Sequence, residues 1–175
     1  MELEFDVVDL PEPEHPTEGE LAPDFERPLV NDEYWADTSL SELAADDPVA
    51  LVFHPMDGAF PATYIWNEIR DRGIADHDVN VVGVSISTPY EHKTLLEERG
   101  IESTGIRLFS DPKNEVAEQY GIVNDLDGMT GVSEPRAATF VIDEDRTVQY
   151  AWAAEEHPDF PEYDDLEAAV EEIAE

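Results

Sequence analysis

Cysteine is absent from all 175 residues, which excludes disulfides, thiolate metal sites and cysteine catalysis together. Basic charge is scarce, with nine Lys and Arg against 44 Asp and Glu and a formal net charge of -35. Such a chain repels nucleic acid and anionic lipid. No apolar run approaches the roughly 20 residues of a membrane span, and the start, Met1-Glu-Leu-Glu-Phe-Asp, lacks both the basic residues and the apolar core of a signal peptide. These absences predict a cytoplasmic protein with no nucleic-acid or membrane partner, no metal and no cofactor.

What is present argues against disorder. Hydrophobic residues make up 41% of the chain and fall in periodic blocks, enough for one domain that buries roughly 70% of its unfolded surface. Lys93 and Lys113 are the only lysines, and the acidic residues are dispersed along the chain instead of gathered in a tail. Dispersed acidity with little lysine is the composition of a halophile's cytoplasm, where molar salt screens self-repulsion; an acidic mesophilic protein is the alternative.

Residues 1–20 are acidic and Pro-rich and read as an extended lead-in, with the folded domain spanning 21–175. Val49 to Phe53 reads as a buried strand. A helix follows, with Pro61 in its first turn and Ala62, Ile65, Trp66 and Ile69 on one face. Val79 to Ile86 is a second strand covered on both faces. Thr88-Pro-Tyr-Glu91 is a capping box opening a helix to about Arg99. Ile106 to Phe109 is a third strand, and Asp111-Pro112 caps a helix through Val116, Ala117 and Tyr120, closed by Gly121. Ala137 to Ile142 and Val148 to Trp152 predict an antiparallel hairpin. A last helix buries Tyr163, Leu166, Ala169, Val170 and Ile173. The order βαβαβα, then ββα, predicts an α/β fold with helices on both faces of a mixed sheet.

Four segments taken in order, Leu21-Ala-Pro-Asp-Phe25, Phe53-His-Pro-Met-Asp57, Leu108-Phe-Ser-Asp-Pro112 and Arg136-Ala-Ala-Thr-Phe-Val-Ile-Asp143, resemble successive signatures of the peroxiredoxins. The resemblance is to the alkyl hydroperoxide reductase and thiol-specific antioxidant group, particularly the bacterioferritin-comigratory type. It implies a thioredoxin-like fold and thiol-dependent peroxide reduction, an antioxidant oxidoreductase activity. The family's site runs proline, threonine, then the peroxidatic cysteine three residues later, with an arginine from a distant strand. Pro55 and Arg136 match; the threonine position is Ala59, the cysteine position Ala62 and the resolving position of some members Asn67. A peroxiredoxin thiolate attacks the peroxide O–O bond and becomes a sulfenic acid. Alanine has no lone pair with which to do so.

Other polar residues allow two readings each. Arg136 either retains an anion-binding role facing the Pro61 helix, where unpaired N–H groups also favour negative charge, or is held by a neighbouring carboxylate. His54 and Asp57 could meet at the mouth of the old pocket for acid–base work or a metal site. His15, His77, His92 and His157 show no ligand spacing and are expected to face solvent. Met56 and Met129 could serve as sacrificial thioethers, with loop packing the simpler role. Gly128-Met-Thr-Gly131 lacks the lysine of a phosphate loop and reads as a loop before the Arg136 strand. Acidic patches such as Asp76-His-Asp78 and Glu155-Glu-His-Pro-Asp159 read as solvated faces.

Three functions remain in competition. The first is a non-catalytic binding or interaction module, pairing with itself or an intact relative. The second is an enzyme that turns His54, Asp57 and Arg136 on a small anionic substrate, which requires the three to converge on one water-accessible point. The third is a scaffold without a site, in which Phe60 or Trp66 fills the volume near Ala59 and Ala62.

Overall fold

The computed structural model describes residues 8–124 and 130–174. Its strands are β1 (Val8–Asp9), β2 (Glu26–Val30), β3 (Trp35–Ser39), β4 (Val49–Phe53), β5 (Asn80–Ser85), β6 (Arg107–Ser110), β7 (Val123–Asn124), β8 (Glu134–Pro135), β9 (Ala138–Ile142), β10 (Val148–Ala153) and β11 (Glu156–His157). The helices are α1 (Leu40–Asp46), α2 (Phe60–Asp71), α3 (Pro89–Glu98), α4 (Glu115–Gln119) and α5 (Tyr163–Ile173).

Seven strands form one mixed sheet in the order β10-β9-β4-β5-β6-β2-β3. The parallel centre is β4, β5 and β6, flanked by antiparallel β9 and β10 on one side and β2 and β3 on the other. Alternation along β4 assigns the faces. Val49, Leu51 and Phe53 point into a core with residues of α1 and α4, whereas Ala50 and Val52 point into a second core with residues of α2, α3 and α5. Helices thus cover both faces, as the α/β pattern predicts.

Each apolar run read from the sequence is a strand, and the Thr88–Glu91 capping box is formed with both of its bonds. The N-terminal hairpin β2–β3 and helix α1 were not expected. Pro28 sits within β2, outside the Leu29 and Val30 positions that pair with β6, and β3 is an edge strand whose first three residues are exposed; a proline and solvent-facing residues remove the usual strand signal.

The extended lead-in lies against the fold. Glu14 N–H donates to Gly121 O, Gly19 N–H to Val148 O and Val148 N–H to Glu20 O, while the His15 ring meets Phe140 edge-on at 5.7 Å. Gly121 has φ +70 and its α-carbon faces the Glu14 backbone, so a side chain there would collide. Glycine is the residue such a helix end requires.

Candidate functional site

The candidate site lies at the C-terminal ends of β4 and β5. After Phe53 the chain leaves the sheet through His54, Pro55 and Asp57, all buried, and enters α2. Ala59 is the N-cap of that helix, with extended backbone and no side-chain cap bond. Ala62 is in the first turn, fully buried in the core shared with Ile65, Trp66 and Ile69. The position of the missing thiol therefore sits at a helix N-terminus, and a methyl group occupies it. Trp66 is wholly buried and Phe60 remains 38% exposed, so of these two aromatic side chains it is the tryptophan that packs inward.

Behind the loop is a polar cluster that joins four elements. The Asp57 carboxylate accepts from the Ser85 hydroxyl at 2.9 Å and faces His92 Nδ1 at 2.6 Å, while its backbone N–H donates to Ser87 Oγ at 2.8 Å. His92 Nε2 donates to the carbonyl of Phe109 at 2.9 Å. A carbonyl can only accept, so Nε2 carries a proton, and Nδ1 is the nitrogen that faces the Asp57 carboxylate. Ser110 Oγ closes the cluster onto Ser87 O at 2.6 Å. Burial alone would raise the Asp57 pKa, but the hydrogen bond and charge of His92, with His54 and Ser85, hold it below the usual carboxylate value.

His54 is fully buried. Its Nδ1–H donates to Pro55 O at 2.8 Å, which leaves Nε2 as the unprotonated nitrogen, 3.8 Å from Asp57 Oδ1. Desolvation lowers its pKa to about 4, against the opposing pull of Asp57. The ring meets Trp66 edge-on at 5.6 Å.

Arg136 reaches the loop from the other side. Arg136 precedes β9, whose Ala138 pairs with Phe53; the nearby Glu134 carboxylate accepts from Met56 N–H at 3.0 Å, and Arg136 N–H donates to Ile122 O at 3.0 Å. Its guanidinium, however, donates from Nε to Asn124 Oδ1 and from Nη1 to Ala154 O, each at 2.8 Å. The structure thus brings His54 and Asp57 together, while two Arg136 donors are committed to an amide and a carbonyl. With His54 at 0% and Arg136 at 2% exposure, the shared water-accessible point that a repurposed enzyme requires is not formed by these three side chains.

The expectation that His92 faces solvent is wrong: it is fully buried. It lies three and four residues before Leu95 and Leu96, which are on the inward face of α3, and that spacing was the available signal. His15, His77 and His157 are half-buried. Ser85, Ser87 and Ser110 carried no sequence signal beyond standing at strand ends. Met56 is half-buried in the loop; Gly128, Met129 and Met1 lie outside the described residues. No group of three or more metal-ligating side chains converges among the described residues, and no helix among them is long and apolar enough to cross a membrane.

Three central parallel strands, an antiparallel hairpin beside them and a helix starting at the C-terminal end of β4 define a thioredoxin-like fold of the peroxiredoxin kind. Residues 19–151 match the AhpC/TSA family, and the chain belongs to that family. It is 30% identical over 139 residues to the ycf42 protein of Pyropia yezoensis, provisionally named a peroxiredoxin, covering 76% of this chain and 66% of that one. It is 29% identical to Peroxiredoxin-1 of Gekko japonicus over 138 residues, covering 75% and 66%. Its fold superposes on peroxidoxin BcpB from Mycobacterium tuberculosis with a TM-score of 0.73 at 28% identity, covering 92% of this chain and 100% of that one. The chain spans just under two thirds of the length of the first two relatives.

Proposed function

We propose that this chain is a non-catalytic member of the AhpC/TSA family, a binding or interaction module that keeps the peroxiredoxin frame without its chemistry. One observation carries the reading: the first turn of α2 presents the Ala62 methyl group where the family's nucleophile is expected, and the sequence contains no cysteine to replace it. Ala59 removes the hydroxyl beside it as well. The remaining sulfur is thioether, which oxidises to a sulfoxide and cannot form the sulfenic acid that a thiol donor resolves. The role fits a cytoplasmic protein of a salt-rich cell, with a second copy or an intact relative as its partner.

The test is peroxide consumption in high salt with thioredoxin and its reductase present. The natural chain is expected to show no sustained turnover, and the Ala59→Thr, Ala62→Cys double variant is expected to gain it. Turnover by the natural chain, free of contaminating peroxidase, would overturn the reading.

A further inference from the structure

The outward stripe of α2 is aromatic. Phe60, Tyr64 and Glu68 recur every fourth residue, on the side opposite Ala62, Ile65, Trp66 and Ile69. Tyr64 is 59% exposed and Phe60 38%, on a chain of which 30% is charged. Beside them are Pro158 and Phe160, which precede α5, and Tyr163 at its start; together with Phe60, Tyr64 and Glu68 they line an open groove of about 470 Å³. That volume suits a small ligand.

The rings form one continuous wall. Phe60, Tyr64 and Phe160 stand with centroids 6.1 to 6.4 Å apart, and Tyr64 meets Phe160 at 88°. Rings this close touch one another and leave no space at their centre, so a ligand lies against the wall. At one end of the groove the chain already seats a cation in this manner. The Arg72 guanidinium stands 5.5 Å from the Tyr163 ring centroid and is held by Glu68, Asp164 and Glu167 at 2.7 to 2.9 Å. An aromatic face backed by carboxylates attracts positive charge, and a net charge of -35 repels an anionic occupant.

We propose that the groove between α2 and the Pro158–Tyr163 segment binds a small organic cation with an apolar body, an ammonium carrying aryl or alkyl groups, whose body lies on the Phe60, Tyr64 and Phe160 rings. Its charge sits against those ring faces; Arg72 already holds the Glu68 carboxylate, and three carboxylates around that one guanidinium leave this end of the groove net negative. The site is separate from the buried loop around Ala62, so its success or failure is independent of the peroxide assay above.

Benzyltrimethylammonium chloride is the probe and benzyl alcohol its uncharged comparison. Both are titrated in about 1 M potassium chloride, which screens diffuse attraction to the acidic surface. Ring-proton NMR shifts of Phe60, Tyr64 and Phe160 report occupancy. The cation is expected to bind at least about tenfold more tightly than the alcohol, and Tyr64→Ala and Phe160→Ala are each expected to weaken it about three- to tenfold. The mostly exposed Tyr64 can be removed without opening the core, and an unchanged unfolding midpoint verifies this. Equal binding of cation and alcohol would overturn the proposal by reducing the groove to an apolar patch. Cation binding unchanged by both ring variants would overturn it as diffuse charge attraction.

Discussion

At His54 a neutral imidazole is locked inside the protein, and this makes stability depend on pH. Its folded pKa is about 4 against 6.5 in a free chain, so between those values the unfolded state holds a proton that the folded state lacks. The stabilisation is complete above pH 6.5 and is lost as pH falls toward 4, by about 3 kcal/mol in total. Asp57 adds a loss at lower pH, because its carboxyl is held below the ordinary value and must be protonated as the structure fails. Urea unfolding at pH 6.5 and 4.5 should show the fall for the natural chain, and His54→Phe should reduce it; an equal fall in the variant would place the proton elsewhere. The sequence pointed to His54 and Asp57 through their spacing of three. The spacing before Leu95 and Leu96 marked His92 for the inward face of its helix, but nothing in the sequence pointed to its partner Asp57, 35 residues away. Arg136 was legible as a position, but its bonds to Asn124 and Ala154 depend on chain folding that spacing does not encode.

Among the elements, α2 begins poorly. Its N-cap is Ala59, whose side chain offers no oxygen, so the cap is made by the backbone alone, with Ala62 N–H donating to Ala59 O at 3.1 Å. Because Pro61 has no N–H and Ala62 N–H already has a partner, Ala59→Thr should stabilise the protein by less than about 1 kcal/mol, read as a small rise in urea midpoint with unchanged slope; a larger gain would mean that the backbone cap is weak. Strand β5 is closed to growth at one point. A β-carbon at Gly83 would fall inside van der Waals contact of Trp66 and Leu108, so Gly83→Ala should cost about 1 to 3 kcal/mol by overpacking, measurable in the same titration. The central strands and their helices were legible because continuous apolar runs and capping residues are local signals. The β2–β3 hairpin was not, since its outer strand owes its place to pairing with β2 and not to a pattern of its own.

For the whole molecule, charge dominates. An excess of 35 negative charges repels itself more in the compact state than in the expanded one, and salt relieves the difference. The thermal midpoint should rise from low to molar potassium chloride by on the order of 10 °C, roughly 3 to 5 kcal/mol for a chain of this size; a flat or falling midpoint would remove the argument for a salt-rich setting. Screening also lets like-charged copies approach, and there the lead-in sets a condition. Val148, at the start of the outermost strand β10, gives both its backbone groups to Gly19 and Glu20, and Leu21 bridges to Thr147. Another chain adding itself along this border must either stop short of Val148 or displace those residues first. Lateral growth of the sheet at the start of β10 is thereby coupled to peeling of Gly19, Glu20 and Leu21 from that border.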